Sequence, residues 1–144
     1  PKPSSAASDV YKRQVLEAGL GFCVKLNKPS GRFGDFIGRR AVLEKKEKGL
    51  GRRLVQFKLR DSSPLLYHNE TIYRDGVSVG RITSGGFGYY LGASIGLGYI
   101  PCEVGQTVEQ LLSSEYEIDV AGVRVKAEAS LRPFYDPLSE RVKM

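Results

Sequence analysis

The sequence predicts a mainly β protein, a six- to seven-stranded Greek-key-like closed barrel preceded by one strand and one α-helix. Three observations lead there. Residues 52–131 hold short runs in which apolar and polar residues alternate, with turn signals roughly every 8–12 residues. Two pairs of runs fold back at Asp75-Gly76 and Ala121-Gly122, with β-branched residues close by, and Asp-Gly is a strong hairpin signal because a type I′ turn needs positive φ at both central positions. The stretch GRITSGGFGYYLGASIGLGYIP (80–101) carries seven of the seventeen glycines, and Gly96 and Gly98 leave one face of an apolar strand bare. Interior glycine weakens a strand and usually marks a bend or a close backbone approach; a small barrel needs both.

Along the chain, PKPSSAASDVYKRQ has no periodicity and no apolar h-region, so residues 1–15 read as an appended leader and not as a secretory signal. GLGFCVKL (19–26) alternates Leu20, Phe22, Val24 and Leu26, the period of a strand. NKPSGRFGD (27–35) is a loop by composition. A helix over 36–48 follows, capped by Asp35, with Phe36/Leu43 and Ile37/Ala41 on its apolar side. Lys45, Lys46 and Lys48 crowd its last turn, where the helix dipole favours cations, and Gly49 ends it. RRLVQFKLR (52–60) sets Val55, Phe57 and Leu59 against a polar face. Residues 61–69 are a loop, and 70–85 and 116–131 are the two hairpins. TSGGFGYYLG reads as a tight connection and ASIGLGYIP as a coiled barrel strand. TVEQLLSS (107–114) is a short helix capped by Thr107.

At 144 residues, 41% hydrophobic and 26% charged, the chain suits one globular domain. No run of 18 apolar residues is present, so no membrane helix is expected. Cys23 and Cys102 stand far apart, each read as a small buried apolar residue, which fits a reducing compartment: cytoplasmic, or the mitochondrial matrix in a eukaryote. The net charge of +6 is uneven: residues 1–60 hold fifteen Lys/Arg against five Asp/Glu, and residues 61–144 seven against eleven. A basic β-barrel that binds nucleic acid is therefore the rival reading, with phosphates held by the basic segment. Against it, Tyr89 and Tyr90 are adjacent, and neighbours on a strand face opposite ways.

The glycine-rich stretch matches neither phosphate-binding loop, because Gly92 comes one position late for G-x-G-x-x-G and no G-K-[ST] follows. GASIG (92–96) fits the nucleophile-elbow pattern around Ser94, but that chemistry needs a histidine downstream, and the one histidine, His68, lies upstream. Gly88, Gly92 and Gly96 repeat a membrane-packing spacing in a segment too short to span. One histidine and two lone cysteines make no zinc site, and Glu115, Glu117 and Asp119 read as a solvated strand face.

LGFCVKLNK, DFIGRRAVLEKKEKG, RRLVQFKL, GRITSGGFGYYLGASIGLGYIP, GVRVKA and PFYDP, in this order, resemble the C-terminal part of the glycine-cleavage T-protein (aminomethyltransferase) family, and are most similar to its dimethylglycine and sarcosine dehydrogenase branch. The resemblance covers about 16–137. It implies that 16–49 end a preceding middle domain, that 50–137 form the C-terminal barrel, and that 138–144 are a tail. It implies a folate-dependent one-carbon enzyme whose catalytic aspartate and most pterin contacts lie in N-terminal domains upstream of this chain, with FAD possible in a further upstream domain. Those domains are the implied partner, and folate and a small amine the ligands of the intact enzyme; no membrane or nucleic-acid partner is implied. No catalytic residue falls on this chain, and tight tetrahydrofolate binding by it alone is not expected. Folate carboxylates suit arginine forks. The positions implied for them are Arg39 in the DFIGR block, Arg81 before TSG, and Arg141 after PFYDP, with Tyr135 to stack or donate.

Overall fold

Two hairpins of the same construction frame the β structure. In the computed structural model, which describes residues 15–26, 36–141 and 143, Asp75 and Gly76 take φ of +52° and +81°, and Ala121 and Gly122 take +53° and +86°. Both dipeptides thus carry the positive φ pair of a type I′ turn. The first joins β2 (Thr71–Arg74) to β3 (Val77–Gly88) and the second joins β5 (Tyr116–Val120) to β6 (Val123–Ser130). With β1 (Arg52–Leu59) and β4 (Ala93–Pro101) they close a six-stranded barrel in the order β1-β4-β3-β2-β5-β6. β2, β3 and β4 follow one another in space, and β5 returns to lie beside β2, which is a Greek key. β3 is long enough to serve two neighbours: its first half pairs with β2 and its second with β4, with register shifts between Ile72/Tyr73 and between Ile82/Ser84. Such bulges bend a strand, as closure requires.

The chain divides into two compact units, residues up to 53 with 102–105, and residues 54–101 with 106–144. The second holds the core. Val55, Phe57 and Leu59 of β1 turn inward, and with Ile72, Ile82, Ile100 and Ile118 are at most 1% exposed. Tyr116 stands edge-on to Phe57 at 5.4 Å, and its hydroxyl donates to the Leu111 carbonyl at 2.7 Å. Burial pushes that phenol above its usual range, although Arg74 pulls it the other way. α2 (Val108–Leu112) starts in a capping box: Thr107 Oγ1 accepts from Gln110 N, and Gln110 Oε1 accepts from Thr107 N.

On β4 the bare face is the inner one. Ser94, Gly96, Gly98 and Ile100 are buried, while Ile95, Leu97 and Tyr99 are half-buried on the outside. A Cβ on Gly98 would run into Ile72 Cδ1 and lie 3.0 Å from the Arg81 carbonyl; one on Gly96 would sit 3.1 Å from Ile82 and 3.2 Å from Leu66. The two glycines make room for the large aliphatic side chains of the neighbouring core. TSGGFG belongs to β3 instead of the connection, which is only residues 89–92. Gly85 is bare for another reason: a Cβ there would meet the Leu66 backbone at 2.8 Å. The loop 60–70 crosses the strand at that point and drops Leu66, 1% exposed, against it.

In the first unit α1 (Arg39–Lys48) has three lysines in its last turn, and Gly49 follows with φ +85° and extended ψ. It begins three residues later than the periodicity suggests. Gly38 takes φ +91° as N-cap and breaks the helical run, leaving Phe36 and Ile37 outside it, the latter fully exposed. Asp35 and the loop expected over 27–35, like residues 1–14 of the leader expected over 1–15, lie outside the described residues. The strand expected over 19–26 is replaced by a 3-10 turn at Gly21–Cys23. Alternation alone does not hold a strand; its N–H and C=O groups need a neighbour, and none pairs with this segment among the described residues. Phe22 is accordingly 83% exposed and Cys23 is exposed, not buried. Glu17, 5% exposed, anchors the segment by binding Arg52 Nε at 2.6 Å and Lys45 at 3.6 Å.

Candidate functional site

Of the four residues expected to meet carboxylates, one belongs to the first unit and three to the second. Arg39 belongs to the first unit and donates twice, from Nε at 3.3 Å and from Nη2 at 2.9 Å, to the Leu26 carbonyl. Arg81 is exposed on β3, opposite Thr71 in the ladder. Tyr135 and Arg141 do meet, and the chain places them by a sequence of local bonds. Gln56 Oε1 on β1 accepts from Phe134 N at 2.8 Å, which fixes the chain leaving β6 against the barrel wall. Asp136 then turns the chain with φ +46°, and its two carboxylate oxygens accept from the backbone N–H groups of Glu140 at 2.8 Å and Arg141 at 3.1 Å.

That turn brings the Arg141 guanidinium over two rings, 5.1 Å from the Tyr90 centroid and 5.6 Å from that of Tyr135. Tyr90 and Tyr135 stand edge-to-face at 4.5 Å, and Arg141 Nη2 donates to the Tyr90 hydroxyl at 2.8 Å. The cleft beside them measures about 490 Å³ and is walled by Tyr90, Leu91, Phe134, Tyr135 and Arg141, with Asp136 and Glu140 at its side. The sequence did not point to Tyr90. Adjacent tyrosines on a strand would face apart, but Tyr89 and Tyr90 lie in the turn after β3, where alternation does not apply. Tyr89 packs on Phe87 instead, at 5.2 Å.

A second, smaller cleft of about 270 Å³ lies on the barrel wall between β1, β3 and β4, walled by Gln56, Ser84, Gly86, Phe87, Ile95 and Leu97. Ser94 is fully buried: its hydroxyl donates to the Pro64 carbonyl at 2.7 Å and accepts from Leu66 N at 3.3 Å. Its work is to latch the loop 60–70 across the barrel. Glu115 and Glu117 pair with Lys126 and Arg124, and Asp119 accepts from Gly122 N. Cys102 is half-buried, 3.0 Å from the Leu50 carbonyl, and His68 is exposed in the loop. Among the described residues no helix is long and apolar enough to cross a membrane.

The Greek-key barrel is filled by its own side chains, so among the described residues its clefts lie on its surface. Residues 52–136 match the family model for the glycine cleavage T-protein C-terminal barrel domain, and the chain belongs to that family. It is 36% identical over 126 residues to 4-methylaminobutanoate oxidase (formaldehyde-forming) of Paenarthrobacter nicotinovorans, covering 88% of this chain and 14% of that protein. It is 45% identical over 105 residues to the mitochondrial dimethylglycine dehydrogenase of Homo sapiens, covering 70% of this chain and 12% of that one. The crystal structure of the glycine cleavage system aminomethyltransferase T from Bartonella henselae superposes with a TM-score of 0.67 at 25% identity, over 86% of this chain and 32% of that chain. The chain thus spans a minor part of the length of each of these proteins. Nothing in these similarities supports the nucleic-acid reading.

Proposed function

We propose that this barrel is the C-terminal wall of a folate-dependent one-carbon enzyme that takes a methyl or methylene group from a small N-methylated amine. The observation that carries this is the family membership of residues 52–136, joined to relatives named for aminomethyl transfer and for oxidation of methylated amines. The barrel interior is occupied by Phe57, Leu59, Ile72 and Ile118, so a ligand meets this domain on its surface. Tetrahydrofolate is the one-carbon acceptor, with its carboxylates reaching Arg141 and Tyr135, and Arg39 or Arg81 in reserve. FAD, where the enzyme oxidises its amine, sits in an upstream domain. The upstream domains are also the partner of the exposed Phe22 and Ile37. The reducing interior of a cell or a mitochondrion is the compartment.

Isothermal titration of the 144-residue chain with tetrahydrofolate tests the division of labour. Weak binding or none is expected, since the chain supplies rim contacts only. Tight binding would place the whole site on this domain and overturn the supporting role.

A further inference from the structure

We propose that the cleft on the outer wall of β1, β3 and β4 is a binding site for a small, flat, uncharged molecule with a hydrogen-bond acceptor, of the aryl amide class. Gly86 is where its ring lies, and Gln56 is the donor that orients it. The glycine carries the argument. Inside a strand glycine costs stability, so it stands where the backbone needs its φ or where something comes too close for a side chain. Each other glycine on β3 and β4 is explained within the fold. A Cβ would meet the Tyr99 carbonyl at Gly80, the Leu66 backbone at Gly85, the Ala93 carbonyl at Gly88, Ile82 and Leu66 at Gly96, and Ile72 at Gly98. Gly86 has neither reason. Its φ is not positive, and no atom of the described residues lies within 4 Å of where its Cβ would be. It is exposed on the outer face, beside Ile95, its partner in the ladder. The group it makes room for therefore comes from outside the chain.

The lining sets the chemistry. The cleft holds about 270 Å³, less than the roughly 300–1,000 Å³ of sites for drug-sized ligands, so it suits one ring and not a segment of a partner chain. Phe87, Ile95 and Leu97 give it apolar sides. Backbone without a Cβ lets a flat ring come close, where a puckered one is held off by its own thickness. The donors are Gln56 and Ser84. Gln56 Oε1 is taken by Phe134 N at 2.8 Å, which fixes the turn of the amide and leaves the two N–H groups of Nε2 for the cleft. The Ser84 hydroxyl adds another donor. None of the lining residues is charged, so an ion entering here would shed water and meet no opposite charge.

This site shares no residue with Arg39, Arg81, Tyr135 and Arg141 and goes beyond the supporting role given above, so the two fail separately: tight tetrahydrofolate binding would sink that role alone, and the variants below bear on this site alone. The test is a ¹H–¹⁵N NMR titration of the 144-residue chain, following the Gly86 amide and the Gln56 side-chain NH₂, with benzamide, its puckered analogue cyclohexanecarboxamide, and its charged analogue benzoate. Benzamide is expected to saturate with Kd on the order of 1–10 mM, as its few atoms allow. Cyclohexanecarboxamide should bind about fivefold more weakly, because its ring cannot lie flat on Gly86. Benzoate should bind about threefold more weakly or less tightly still, because nothing there offsets its charge. Gly86→Ala should weaken benzamide about tenfold while the thermal midpoint holds or rises, since the new methyl group meets only the cleft. Gln56→Glu keeps an acceptor for Phe134 N and removes the N–H donors; it should weaken benzamide about fivefold with the Phe134 amide unmoved. The proposal is overturned if Gly86→Ala binds as the parent chain does or unfolds at a lower temperature, if cyclohexanecarboxamide or benzoate matches benzamide, if Gln56→Glu leaves binding unchanged, or if no saturable shift occurs at about tenfold above that Kd.

Discussion

At the β5–β6 hairpin, Ala121 and Gly122 take φ of +53° and +86°, and no atom lies within 4 Å of where a Gly122 side chain would begin. In the β3–β4 pair, Gly85, Gly96 and Gly98 have none of that positive φ, and the space beside each is taken by Leu66, Ile82 or Ile72. The first region uses glycine for what its backbone can do. The second uses it for what its side chain does not occupy. The difference has a consequence for tolerance: at the hairpin a substitution is felt only by the residue itself, whereas on β3 and β4 it is felt by the neighbour, and the damage depends on whether that neighbour can move.

The largest effect is expected at Gly85. A methyl group there meets the backbone of Leu66, whose N–H, like the Pro64 carbonyl before it, is tied to the buried Ser94 hydroxyl, so the loop has little room to yield. Gly85→Ala should lower stability by about 3 kcal/mol in urea unfolding, the upper range for overpacking. A loss within about 0.5 kcal/mol, the size of an ordinary surface change, would erase the distinction between the two regions.

Gly98 sharpens it. The obstacle there is chiefly Ile72 Cδ1, the end of a flexible side chain, with the Arg81 carbonyl behind it at 3.0 Å. Gly98→Ala should cost about 2 kcal/mol. Ile72→Val removes that same methyl group, so the double variant should be more stable than the sum of the two single changes by about 1 kcal/mol, read from a double-mutant cycle. Strict additivity would mean that Ile72 is not what Gly98 makes room for.

The smallest effect has the opposite sign. Ala121 sits at φ +53°, where an L-residue is held at a cost of roughly 1–2 kcal/mol. Ala121→Gly should therefore raise stability by about 0.5–1 kcal/mol once glycine's freer unfolded chain is counted. A fall in the thermal midpoint would show that the turn is fixed by contacts and not by its own dihedrals.

Much of the fold is legible because it is written locally. The alternation Val55/Phe57/Leu59, the Asp75-Gly76 and Ala121-Gly122 turns and the Thr107 cap each act within a few residues, and each appears where the sequence puts it. The strand expected over 19–26 fails for the complementary reason: its periodicity is real, but a strand exists only beside another strand. Of the site, Tyr135 and Arg141 follow from the resemblance, and the meeting of the two follows from Asp136 turning the chain. Tyr90 lies far from them along the chain, beyond the reach of any spacing rule; a glycine-flanked tyrosine pair in a turn carries no sign of which ring will face the tail.

By itself the sequence determined most of the barrel strands, the hairpin turns, the barrel class and the family, because hydrophobic period and backbone preference are properties of neighbouring residues. The tertiary structure alone decided that the bare face of β4 points inward, that Leu66 and Ser94 tie the loop 60–70 across the barrel, and that Tyr90, Tyr135 and Arg141 share one corner. Those facts depend on which distant segments come within a few ångströms of each other, and closure of the sheet, not any local preference, sets that distance.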